Sequence, residues 1–150
     1  MPGSWPTSEL PNLNDNNCQV TSMASRRYNC IAWAARENTR WWWPDPLGVG
    51  YWPSGVQRSE TPEAFVAAYS TLGFERCRDG TPEAGIEKLA IFGQNRGGKL
   101  VPTHAAIQLE SGEWSSKLGE FEDVTHDAVD DVRGPAYGEV ALYMSRQRSS

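Results

Sequence analysis

Apolar and polar positions alternate with a period of two residues around Ile107 and Leu109, which predicts a strand over Thr103–Leu109. Glu113–Lys117 reads as its partner, with Glu110-Ser111-Gly112 as the hairpin turn. Further extended segments are predicted at Cys18–Ser22, Phe74–Arg78, Lys88–Phe92 and Glu139–Met144. Helical spacing appears at Phe65, Val66, Tyr69 and Leu72, after a start signal of Thr61 as cap, Pro62 and Glu63, and it stops at Gly73. A second helix is predicted from Cys30 to Glu37, because Asn29 is a capping residue and the segment is rich in alanine. Thr81-Pro82-Glu83 repeats the start signal, but Gly85 limits any helix there. Gly93–Lys99 reads as a turn, and Asp123–Val132 as holding a short helical turn. Helices come first and strands later, so the expected class is α+β, with helices packed on an antiparallel sheet. No repeat or linker divides the chain. One domain over 1–150 is expected, with an irregular lead-in over 1–17 lying on the surface and a frayed tail over 146–150.

Composition narrows the function classes. The net charge of −5 and pI near 5.0 argue against a general binder of nucleic acid or acidic membranes. Arg26-Arg27 and the pair Arg146, Arg148 read as solvated surface. No apolar run is long enough to span a bilayer, and the first residues lack a signal-peptide pattern, so a cytoplasmic location is expected unless export proceeds without a signal. Cys18, Cys30 and Cys77 are odd in number and form no C-x-x-C pair. That argues against a disulfide framework or a zinc site, and neither metal nor cofactor is expected. Cys18 and Cys77 read as plain thiols, and the oligomeric state is left open.

The chain holds seven tryptophans. Trp41, Trp42, Trp43 and Trp52 share a segment with Pro44, Pro46, Pro53, Gly48 and Gly50, which excludes a regular element. Such a loop either staples itself to the core or walls a cleft. Successive side chains alternate in direction, so a division is expected: one indole buried as an anchor and another lining a cleft near Cys30.

The candidate chemistry centres on Tyr28-Asn29-Cys30. A cysteine opening a helix meets unpaired N–H groups and the positive end of the macrodipole, which favour the thiolate. A histidine on a distant strand is the natural base, and His104 opens the predicted strand. Ser115, Ser116 and Lys117 stand one hairpin later, where a polar group can fix the imidazole tautomer. Glu120 and Asp123 are carboxylate alternatives for that role. The Cys30 N–H and the Tyr28 hydroxyl are oxyanion candidates, and Gln19 is a more distant one. His126, among acids, reads as a surface or capping histidine. Against this stands a plain reading in which Cys30, Trp33 and Ala34 form an apolar stripe packed on the sheet.

These motifs resemble the NlpC/P60 and CHAP-type branch of the papain-like superfamily. His104 through Ser116 fits that branch's hairpin without a gap, with the histidine on His104 and the third polar position on Ser116. Tyr28-Asn29-Cys30 fits the segment ending in the nucleophile. The branch usually carries Asp before its cysteine and His, Asn or Gln in third place, where this chain has Asn29 and Ser116. The chain also resembles a small bacterial family with Asn-Cys, Ala-Trp-Ala, Trp-Trp-Trp-Pro, Thr-His-Ala-Ala and Ser-Lys-Leu-Gly motifs, from about Tyr28 to Tyr143. The papain-like resemblance implies a thiol-dependent amide hydrolase: a peptidase, amidase or deamidase. Cys30 would be its nucleophile, His104 its base and Ser116 the orienting group. The implied partners are a peptide, a peptidoglycan stem or a protein glutamine. The alternative is a non-catalytic peptide- or glycan-binding module on the same fold, using Trp41, Trp42, Trp43 and Trp52.

Overall fold

The computed structural model describes residues 3–149; Met1, Pro2 and Ser150 of the expected lead-in and tail lie outside them. Seven strands form one antiparallel sheet: β1 Cys18–Ser22, β2 Glu75–Cys77, β3 Ile86–Arg96, β4 Lys99–Gln108, β5 Trp114–Lys117, β6 Asp123–His126 and β7 Glu139–Gln147. Their spatial order is β1-β6-β5-β4-β3-β7-β2. Two helices, α1 Cys30–Ala34 and α2 Pro62–Ser70, complete an α+β domain, with a short 3-10 helix at Val129–Val132. Among the described residues no helix is long and apolar enough to cross a membrane.

The start signals act as read. Asn29 accepts from the Ala32 N–H at 3.2 Å, and Thr61 accepts from the Ala64 N–H at the same distance. The α1 helix is shorter than expected. At Arg36 the backbone turns left-handed (φ 64°), and the Glu37 N–H closes on the Ala32 carbonyl at 2.9 Å. Arg36 then reaches the buried Glu87 carboxylate, which also accepts from Arg146 Nε at 2.8 Å. No helix forms after Thr81; its N–H is taken by Asp79 Oδ1 at 3.0 Å. The turn expected over 93–99 contracts to Gly97-Gly98, whose φ values of 60° and 80° suit a two-residue hairpin, and β3 and β4 extend to either side of it.

The two central strands are buried on consecutive residues, because both faces of the sheet are covered. Leu89, Ile91, Ala105, Ile107 and Met144 face α1 and α2. Ala90, Phe92, Ala106, Trp114 and Val124 face the other way, against Trp5, Leu10, Leu13 and Val132. The lead-in is thus irregular but not merely superficial: it supplies three side chains of the second core. The tail is also ordered further than expected. β7 runs to Gln147, the Arg148 N–H bonds Gly85 O at 2.8 Å, and Arg146 and Arg148 donate to Leu72 O and Gln108 O. These two arginines clamp the chain end and are not free solvated charge.

Candidate functional site

Cys30 is the first residue of α1, and its side chain is 5 % exposed. The β4–β5 ladder ends at the Ile107–Ser115 pair. One step beyond, the Ala105 N–H is directed at Cys30 Sγ, and Sγ lies 4.0 Å from the Thr103 carbonyl oxygen. The thiol therefore sits against the β4 backbone on both sides of His104. Burial pushes it up to about 11, outweighing the N–H groups of Ala105, Ile31 and Cys30 itself and the charge of Lys117, all of which pull it down. The thiolate expected at the helix terminus is therefore not favoured, because burial outweighs what these N–H groups supply.

His104 is fully buried, on the sheet face that carries Phe92. A bulge aims it. His104 pairs with Phe92 and Pro102 with Gly93, so Thr103 is the extra residue in β4. His104 Nε2 lies 3.1 Å from Ser116 Oγ, so the histidine and the serine that the papain-like resemblance pairs are in hydrogen-bond contact. His104 Nδ1 is buried without a hydrogen-bond partner. Burial, and after it the neighbouring His126, hold the His104 imidazole well below its ordinary range. Among the described residues no hydrogen bond joins Cys30 to His104, so the direct thiol–imidazole contact is not made in this conformation.

Tyr137 covers His104. Its ring stacks on His104 with centroids 3.9 Å apart and planes 15° from parallel. Burial, then the nearby Cys30 thiol, push its phenol well above the ordinary value. The segment carrying it is closed by reciprocal Gly134–Gly138 backbone bonds of 3.1 and 2.7 Å. Gln94 Nε2 pins it at Pro135 O (2.7 Å), and the Thr103 hydroxyl pins it at Tyr137 O. Gly138 has φ 72°, and a methyl there would run into the Gly93 carbonyl. Sequence reasoning missed Tyr137; the flanking glycines are the only signal it left.

His126 was also misread. It is buried on β6, with Nε2 2.8 Å from Ser116 Oγ and Nδ1 2.8 Å from Ala128 O. Val124 is buried two residues before it, so strand alternation was the available signal.

Other candidates are committed elsewhere. The Tyr28 hydroxyl donates to Asp123 Oδ2 at 2.9 Å; burial, then that bond, push the phenol up to about 12. Asp123 also accepts from the Thr21 hydroxyl and does not reach His104. Glu120 pairs with Arg26 in solvent. Gln19 is exposed on β1, opposite Thr125. Ser115 accepts from Trp33 Nε1 at 2.8 Å, and Lys117 donates to Ser25 O at 2.8 Å. Neither orients the imidazole.

The tryptophan loop is mainly an anchor. Trp42 and Trp52 are buried, and Trp43 and Trp52 pack edge-on against Phe65 at 5.5 and 5.0 Å. Asn29 Nδ2 donates to Trp42 O at 2.7 Å while Asn29 Oδ1 accepts the Trp42 N–H at 3.1 Å, tying the loop to the start of α1. Trp41 is exposed, and its backbone carbonyl accepts from the Tyr51 N–H. The cavities along Pro82–Ile86 (about 520 Å³) and beside Val20–Ala24 (about 510 Å³) are lined by none of these indoles, nor by Cys30 or His104. Among the described residues no cluster of three or more His, Cys, Asp or Glu is placed to hold a metal ion.

No curated protein and no solved structure matches the chain. A family model described as a domain of unknown function, DUF7689, matches residues 19–145. That span holds Cys30, His104, Ser116, His126 and Tyr137, and the chain belongs to this family.

Proposed function

We propose that the domain is a papain-like thiol hydrolase of the NlpC/P60 kind, acting on an amide bond from a site closed in the conformation described. The observation that carries this reading is the ring of His104. One nitrogen is held by Ser116, the other has no partner, and the thiol lies against the backbone on either side of the same residue. When Tyr137 is displaced, the vacant Nδ1 takes the thiol proton as Sγ attacks the carbonyl carbon. The C–N bond then breaks, with Nδ1 returning the proton to the departing amine. Water, deprotonated by the same nitrogen, cleaves the thioester and regenerates the thiol. With Tyr28 held by Asp123, the oxyanion falls to backbone N–H groups at Cys30 and Ile31. The substrate class is a peptide, a peptidoglycan stem or a protein glutamine. Three free thiols suit a reducing compartment such as the cytoplasm.

A second reading is favoured by the burial of Cys30 and its raised pKa: a non-catalytic peptide- or glycan-binding module in which Cys30 is core. Mass-mapped alkylation with iodoacetamide separates the two. Tyr137→Ala should speed labelling of Cys30 by about tenfold or more, with an inflection below the ~8.5 of a free thiol. Adding His104→Ala should return the inflection to the free-thiol range. Profiles that superimpose with and without His104 would sink the hydrolase reading and leave the binding module.

A further inference from the structure

The chain has two histidines, and one hydroxyl stands between them: Ser116 Oγ is 3.1 Å from His104 Nε2 and 2.8 Å from His126 Nε2. All three residues are fully buried, so no solvent competes for these bonds. The far end of the chain of bonds sets its direction. A carbonyl oxygen only accepts, so His126 Nδ1, 2.8 Å from Ala128 O, must carry a proton. Burial holds the His126 imidazole below its ordinary range, despite the Ala128 carbonyl and nearby acids that raise it, so at neutral pH the ring is uncharged and its Nε2 is a lone pair. The single Ser116 proton is drawn to that lone pair. Ser116 Oγ then has only acceptor capacity for His104, whose Nε2 must be the protonated nitrogen. What remains on His104 is a bare Nδ1, the atom that has no partner in the structure.

We infer that His126 is the positioning residue of this site: through Ser116 it decides which nitrogen of His104 carries the proton, leaving Nδ1 as the base for Cys30. The inference rests on the hydrolase reading for its purpose, but not for its test. A serine alone cannot impose a tautomer, because a hydroxyl donates or accepts equally well. Backed by an imidazole whose own proton is committed to a carbonyl, it accepts only. The third position of the resembled hairpin is thus filled by two residues in series, with Ser116 as the link and His126 as the source of polarity.

Histidine-selective 15N labelling of the untagged chain tests this directly. A long-range 1H–15N correlation spectrum near pH 7.5 contains four ring nitrogens. The expected pattern is Nε2–H with bare Nδ1 for His104, and Nδ1–H with bare Nε2 for His126. Ser116→Ala should leave the His126 pattern intact and lose the single tautomer of His104. His126→Gln keeps an oxygen that can accept from Ser116 and should preserve the His104 tautomer, whereas His126→Leu should lose it. His104 protonated on Nδ1 in the wild-type chain overturns the inference, even if every variant fails to fold. A His104 tautomer unchanged in folded Ser116→Ala also overturns it. The expected spectrum together with alkylation profiles indifferent to His104 would overturn the hydrolase reading while upholding the tautomer assignment.

Discussion

Asn29 shows how much one side chain can decide. Its oxygen caps α1 and receives the Trp42 N–H, and its amide nitrogen donates to the Trp42 carbonyl. An aspartate caps equally well but cannot donate, which is a physical reason for asparagine where the resembled hydrolases carry Asp. Asn29→Asp should keep the helix yet leave the Trp42 carbonyl facing a carboxylate in a buried place. A loss of ~1–3 kcal/mol is expected, measured by urea denaturation with helix content followed by circular dichroism. An unchanged midpoint would mean the clamp contributes nothing. The capping role was readable from the sequence, since it depends on neighbours along the chain. The clamp was not, because Trp42 approaches only through the fold. Cys30 was placed at the helix start correctly, and its two readings there pull opposite ways: the helix terminus favours the thiolate, the apolar stripe packed on the sheet buries the thiol, and burial wins.

At the scale of elements, the pairing of β4, β5 and β6 converts spacing into chemistry. Burial holds both imidazoles below the ordinary histidine value of about 6.5, while the unfolded chain keeps that value. As pH falls through this region, the unfolded state binds more protons than the folded one. The stability from the neutral network is therefore complete above about pH 6.5 and is lost on acidification. The melting temperature should fall between pH 7 and pH 5, a window above the range where ordinary carboxylates titrate, and fall less in His126→Gln. Parallel slopes for the two proteins would mean His126 is protonated freely in the folded state. The ion cluster that joins Arg36, just past the end of α1, to β3 and β7 behaves in the opposite chemical sense. Burial raises the Glu87 carboxyl, but bonds from Arg36 and Arg146 outweigh it and hold it low. Glu87→Ala should cost ~1–3 kcal/mol, measured by thermal melts, because it leaves the mostly buried guanidinium groups of Arg146 and Arg148 without their carboxylate, while the half-exposed Arg36 turns to water. Strands β4, β5 and β7 were legible because alternation and hairpin length are local; these left Ser115, Ser116 and Lys117 as candidates, and the papain-like resemblance singled out Ser116. The bulge at Thr103, the role of His126 and the Tyr137 cover depend on which strands become neighbours, and the sequence says little about that.

For the whole molecule, both faces of the sheet need a cover, and different parts of the chain supply it. The helices and the tryptophan loop close one face; residues before β1 close the other with Trp5, Leu10 and Leu13. The lead-in was legible as irregular, but its packing was not, because three apolar residues among prolines and asparagines show no period. Trp5→Ala should cost ~3–5 kcal/mol by denaturant titration, as for a core residue, whereas a surface strap would lose little. The stacking of Tyr137 on His104 has a kinetic consequence for the assembled domain. If the thiol reacts only after this cover swings aside, modification of Cys30 is a gated process: opening first, capture second. The labelling rate should rise with reagent concentration and then level off at a plateau equal to the opening frequency. Loosening the Gln94–Pro135 tether should raise that plateau, while changes to the thiol's own reactivity should alter only the initial slope.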